Sequence, residues 1–82
     1  MHAVTLYARD GCHLCDKARE AILGLAAEVG EIELREIDIE GDDRLLAAYL
    51  ERIPVVELDG REVSELEFDP DALARELHTV GP

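Results

Sequence analysis

Cys12 and Cys15 are the only cysteines of the chain, and they stand two residues apart in DGCHLCDKAREAIL. Sulfur pairs at this spacing do one of three things. They cycle between dithiol and disulfide, they supply half of a metal site, or they fill small buried positions. Redox use needs a thiolate, and hence a local source of positive potential. A helix N-terminus provides one through its unpaired N–H groups and aligned peptide dipoles. A structural zinc site usually takes four ligands, and the chain has no second C-x-x-C. His2, His13 and His78 could complete such a site only through unusual geometry or across a dimer.

The surrounding pattern puts the pair at a helix start. Residues 3–7, AVTLY, read as a strand with Val4 and Leu6 on one face. Gly11 permits a tight turn directly before Cys12. In the helix that follows, Leu14, Ala18, Ile22, Leu25 and Val29 recur every three or four residues as one apolar stripe, with Asp16, Lys17, Arg19 and Glu20 mostly off it. Gly30 stops the helix. Gly24, inside it, is unfavourable by about 1 kcal/mol against Ala and is expected to mark close packing on a strand. Cys12 then lies where loop meets helix, with Cys15 one turn in. One thiol is activated there, and the other is placed to attack a mixed disulfide.

Segment 31–39, EIELREIDI, is strand-like but changes phase, Ile32 and Leu34 sharing one parity and Ile37 and Ile39 the other. A bulge, or a strand covered on both faces, accounts for this. Asp42 or Asp43 caps a second helix bearing Leu45, Leu46, Tyr49 and Leu50, which Pro54 ends. VVELDGREV is a hairpin with Asp59-Gly60 at its turn. Asp69-Pro70 opens a last helix whose buried face is Leu73, Leu77 and Val80. The order β-α-β-α-β-β-α predicts an α/β sandwich on a four-stranded mixed sheet, its first three strands parallel and the hairpin adding an antiparallel edge.

Eight Lys and Arg against 20 Asp and Glu leave a net charge of −12, which repels phosphate backbones and anionic lipid. Nucleic acid and membrane surfaces are therefore not expected partners; the acidity reads first as a solvated surface that keeps a small protein soluble, with a basic partner protein as the sharper alternative. No basic and apolar leader precedes the first strand, and no run approaches a membrane span, so a cytoplasmic protein is expected. In that compartment paired thiols are more often catalytic or metal-binding than structural.

Taken together, the strand, the C-x-x-C at a helix start, the second βα unit, Ile53-Pro54 before a hairpin and the C-terminal helix resemble the glutaredoxin branch of the thioredoxin superfamily. The likeness is greatest to short bacterial glutaredoxin-like proteins with a C-H-L-C-type site. It covers essentially the whole chain, residues 1–82 as one domain, and implies a thioredoxin-like, glutaredoxin-type fold. The resemblance implies that Cys12 is the nucleophile, Cys15 the resolving thiol, and Pro54 a cis-proline facing them. It also implies that the backbone of Ile53 pairs with a bound peptide or glutathione. Arg9 matches a position where glutaredoxins often carry a lysine near the thiols. His13 replaces their usual proline and is a candidate for tuning the thiolate. Where the family holds the γ-glutamyl end of glutathione with Gly-Gly and an acidic pair, this chain has Ser64 and Glu65, so weak glutathione use is expected.

The implied function is a thiol–disulfide oxidoreductase that reduces protein or small-molecule disulfides. Its electrons come from a reductase or a thiol donor. No permanently bound cofactor is expected, with glutathione a candidate co-substrate and no residue assigned to a metal. Two other readings stand beside it: an iron–sulfur or metal carrier of the same fold using Cys12, and a redox-inert interaction module.

Overall fold

Short polar side chains set the helix starts. In the computed structural model, which describes residues 1–80 and their side chains through Leu77, the first helix, α1, is His13–Val29. Cys12 caps it through its sulfur. Asp42 caps α2 (Asp43–Tyr49) by accepting from the Arg44 and Leu45 N–H groups. Asp69 accepts from the Asp71 and Ala72 N–H groups at the start of α3 (Pro70–Val80), where Pro70 needs no donor partner. Gly30, at φ 76°, closes α1. The expected burial of Val80 and the side chain of His78 lie outside the described side chains.

Four strands form one sheet in the order β2-β1-β3-β4: β1 His2–Ala8, β2 Ile32–Asp38, β3 Val55–Leu58 and β4 Arg61–Ser64. β1 and β2 are parallel, but β3 runs antiparallel to β1, which corrects the expectation of three parallel strands. The reason is reach. α1 has 17 residues, about 25 Å at 1.5 Å per residue, enough to carry the chain back along the sheet. α2 has seven, about 10 Å, so the chain re-enters from the end at which β2 left it. Asp59 (φ 51°) and Gly60 (φ 88°) make the expected hairpin turn with both residues in the left-handed region. The Asp59 carboxylate also accepts from the Ala3 N–H at 2.8 Å and meets His2 Nδ1 at 2.7 Å, fastening the turn to the start of β1. His2 and that N–H hold the Asp59 carboxyl below the ordinary aspartate range.

The main core lies between the sheet and the helices α1 and α3. Val4, Leu6 and Ala8 of β1, Val56 and Leu58 of β3, Cys15, Ala18 and Ile22 of α1, and Leu73 and Leu77 of α3 form it. The buried stripe of α1 therefore begins at Cys15, and Leu14 and Val29, expected on it, are each 45% exposed. On the opposite face, Tyr7 stacks on Tyr49 of α2 with ring centroids 4.4 Å apart, and Val55 and Ile39 are fully buried. Burial, followed by the charge of Glu57, pushes the Tyr7 phenol up to about 12.

The phase change in 31–39 is the covering of two faces. β2 pairs with β1 without interruption from Ile32 to Asp38, and Ile39 already belongs to a short 3-10 turn, Ile39–Gly41. The sheet's irregularity falls instead between Val56 and Glu57, where β3 meets β4.

Gly24 packs against nothing: a Cβ built there meets no atom within 4 Å. The expected close approach is absent. Gly24→Ala should therefore remove the helix penalty and raise stability by about 1 kcal/mol, a rise of roughly 4–8 °C in thermal midpoint by calorimetry. A lower midpoint would show a constraint at this position.

Candidate active site

Strand register brings the chemistry to one end of the sheet. The C-terminal residue of β1, Ala8, lies opposite Asp38, the last residue of β2. Tyr7 lies opposite Val55, so Ile53-Pro54 enters the sheet at the same end, and Val56 opposite Ser64 makes β4 leave there. The loop from β1 to Cys12, the Ile53-Pro54 segment and the Ser64–Glu65 exit are thus neighbours.

Within that frame Cys12 and Cys15 form a disulfide, with Cα atoms 5.2 Å apart. The spacing follows from one helical turn, and Gly11, at φ 80°, turns the chain into it. Cys12 Sγ accepts the Cys15 N–H at 3.1 Å, so an orphan donor of the helix start points at this sulfur. Cys15 is fully buried in the main core, while Cys12 is half-buried and packs against it. Burial and donors thus distinguish the two sulfurs.

The Ile53–Pro54 bond is cis, and Pro54 is fully buried. Ile53 packs against the core beside which Cys12 also lies. Its N–H donates to the Tyr49 carbonyl at 3.0 Å. His13 is the exposed first residue of α1.

Arg9 is at the same sheet end, but its guanidinium is engaged by Glu40 at 2.6 Å. Arg19 is held by Glu36 and by Asp16, the latter at 2.9 Å. Glu36 first, then Asp16, keeps that guanidinium even further above its ordinary range. Both arginines are thus engaged by carboxylates: Arg9 by Glu40 and Arg19 by Glu36, both distant in sequence, with Asp16 adding a pair three residues from Arg19. Around them a cleft of about 280 Å³ is lined mostly by charge, including Asp10, Asp16, Glu36 and Asp38.

Sequence reasoning missed Arg52. Its Nε donates to Glu65 at 2.6 Å, its Nη2 donates to Glu62, and its guanidinium carbon lies 5.5 Å from the Tyr49 ring centroid. No local pattern signals this, because the carboxylates are 10 and 13 residues away on the far side of a hairpin. Among the described residues no group of three or more His, Cys, Asp or Glu side chains comes together as a metal site.

The sheet order, three helices and a C-x-x-C disulfide at a helix start define a thioredoxin-fold protein with a paired-cysteine site. A family model described as glutaredoxin-like domain (DUF836) matches residues 3–78, and the chain belongs to that family. An uncharacterized protein of Mycobacterium tuberculosis is 35% identical over 79 residues, covering 90% of this chain and 80% of that one. The X-ray structure of a structural-genomics target protein, XcR50 from X. campestris, superposes with a TM-score of 0.73 at 37% identity, over 95% of this chain and 99% of that one. A mutant thioredoxin from Halobacterium salinarum matches with a TM-score of 0.69 over 99% of this chain and 78% of its own, and at 24% identity this likeness shows the fold alone.

Proposed function

We propose that the protein is a dithiol–disulfide oxidoreductase that reduces disulfides of proteins or small molecules. The observation that carries this reading is the asymmetric pair: Cys12 half-exposed and hydrogen-bonded by the Cys15 N–H, Cys15 buried one turn below. The Cys12 thiolate attacks one sulfur of a substrate disulfide, forms a mixed disulfide and expels the first thiolate. Cys15 then loses its proton and attacks the Cys12 sulfur. The Cys12–Cys15 bond closes, and the second thiolate leaves. Two electrons have passed to the substrate, and both released thiolates take up protons. A thiol donor or a reductase restores the dithiol, so no resident cofactor is required. A reducing compartment, the cytoplasm, suits this cycle.

Ile53 and Pro54 supply the surface on which the substrate chain lies, and Arg9 and His13 flank the thiols. Weak glutathione use is part of the proposal. Ser64 and Glu65 replace the Gly-Gly approach, Glu65 is engaged by Arg52, and the net charge of −12 disfavours an anionic tripeptide.

Thiol counting tests the pair. Mild oxidation should remove both titratable thiols of Cys12 and Cys15 without forming dimers, and reduction should restore them; two thiols persisting after oxidation would rule out the cycle. A parallel activity comparison should give slow turnover with glutathione and faster turnover with a thioredoxin-reductase system. Rates typical of true glutaredoxins with glutathione would overturn the proposed donor preference.

A further inference from the structure

Arg52 ties together the segments around Ile53-Pro54. Its side chain holds Glu62 of β4 and Glu65 just beyond it, its carbonyl accepts the Leu66 N–H at 2.9 Å, and its own N–H donates to the Tyr49 carbonyl at 2.8 Å. The end of α2, the cis-proline segment and the β4 exit are thereby joined. One carboxylate would suffice to pair one guanidinium, and half-exposed ion pairs contribute little to stability. Two carboxylates on one cation leave the cluster with a net negative charge. β4 lies two strands from β1, about 10 Å at the usual strand spacing. Glu65 and Leu66, held by Arg52, lie beside Ile53-Pro54, so this charge borders the surface proposed to receive the substrate, and it is screened over about 10 Å at ~0.1 M salt.

We propose that Glu62 and Glu65 are specificity-determining residues. By occupying Arg52 and leaving the rim beside Ile53 negative, they direct the dithiol toward cationic and neutral disulfides and away from carboxylate-bearing ones. The inference rests on the dithiol–disulfide reading above and adds the charge class of its substrate.

The test is a single-turnover measurement that needs no external donor. Pre-reduced protein, freed of reductant, is mixed at about 0.1 M salt with cystamine, hydroxyethyl disulfide or dithiodipropionate, and the rate of Cys12–Cys15 closure is measured. Cystamine should react fastest with the native protein and dithiodipropionate slowest. In Glu62→Gln/Glu65→Gln, the cystamine-to-dithiodipropionate rate ratio should fall roughly tenfold or more, with the neutral probe changed less than about twofold. Glu28→Gln/Glu31→Gln alters net charge equally, but near the C-terminal end of α1, and should leave the ratio nearly unchanged. The single variant Glu65→Gln, expected to show about half the logarithmic effect, serves if the double variant fails to fold. An unchanged ratio on removing Glu62 and Glu65, or an equal fall in the distant control, overturns the assignment. No closure of the native protein with the neutral probe would instead overturn the dithiol reading itself.

Discussion

Cys12→Ser is expected to abolish attack on disulfides, whereas Cys15→Ser should attack and then stall as a mixed disulfide. The asymmetry follows from the position of each sulfur. Cys12 sits at the cap of α1, accepts the Cys15 N–H at 3.1 Å and is partly open to solvent. A negative charge developing there meets a fixed donor and the positive end of the helix. Cys15 has no exposed surface and is packed among Ala18, Ile22 and the residues of β1, so an external disulfide cannot reach it. Its partner is the Cys12 sulfur one turn away, and removing it eliminates the intramolecular exit from the mixed disulfide. Reduction rates of Cys12→Ser should fall to the uncatalysed background, a loss of several orders of magnitude. Cys15→Ser should give a trapped adduct by mass spectrometry, and its remaining thiol should alkylate faster than that of Cys12→Ser across the pH range. Should glutathione resolve the adduct, Cys15→Ser would retain part of its activity on small glutathionylated substrates. If Cys12→Ser traps substrate and Cys15→Ser does not, the roles are reversed.

Leu6→Ala should be the most damaging single change away from the sulfurs. Leu6 is fully buried on the central strand β1, between Glu36 of β2 and Val56 of β3, with its side chain in the core under α1 and α3. Truncating a leucine in such a site loses its transfer free energy and leaves a void, together about 2–5 kcal/mol. An 82-residue domain has roughly 4–12 kcal/mol in total, so the variant loses a large part of it. The expected fall in thermal midpoint is roughly 10–25 °C, with a matching shift in urea midpoint at unchanged slope. A loss below about 1 kcal/mol would contradict the packing described for β1.

Features that depend on a few adjacent residues were legible in the sequence. Asp42 before Asp43, Asp59-Gly60, Asp69-Pro70 and Gly30 each act through their own backbone or that of residues within one turn. Each therefore signals its cap or turn locally. The direction of β3 was not legible in the same way, because it depends on comparing the length of α2 with that of the sheet. Leu14 and Cys15 exchange places on the stripe of α1 because a cysteine reads as chemistry while also serving as core. The C-x-x-C and Ile53-Pro54 mark the sheet end in sequence because each is a compact motif. The electrostatic setting is not compact. Arg9 meets Glu40, Arg19 meets Glu36, and Arg52 meets Glu62 and Glu65 only once the strands are in register. In a chain with 20 acidic residues, sequence offers each arginine too many partners to choose from.

The direction of β1 has a practical use. The strand runs the length of the sheet in seven residues, about 23 Å, so it begins at the end remote from the sulfurs. Met1, 86% exposed, stands at that remote end. A linker, dye or surface anchor attached beside the start of β1 leaves the sulfur-bearing end facing outward. Molecules immobilised this way on an electrode or bead would share one orientation, each presenting its cysteine pair to the solution.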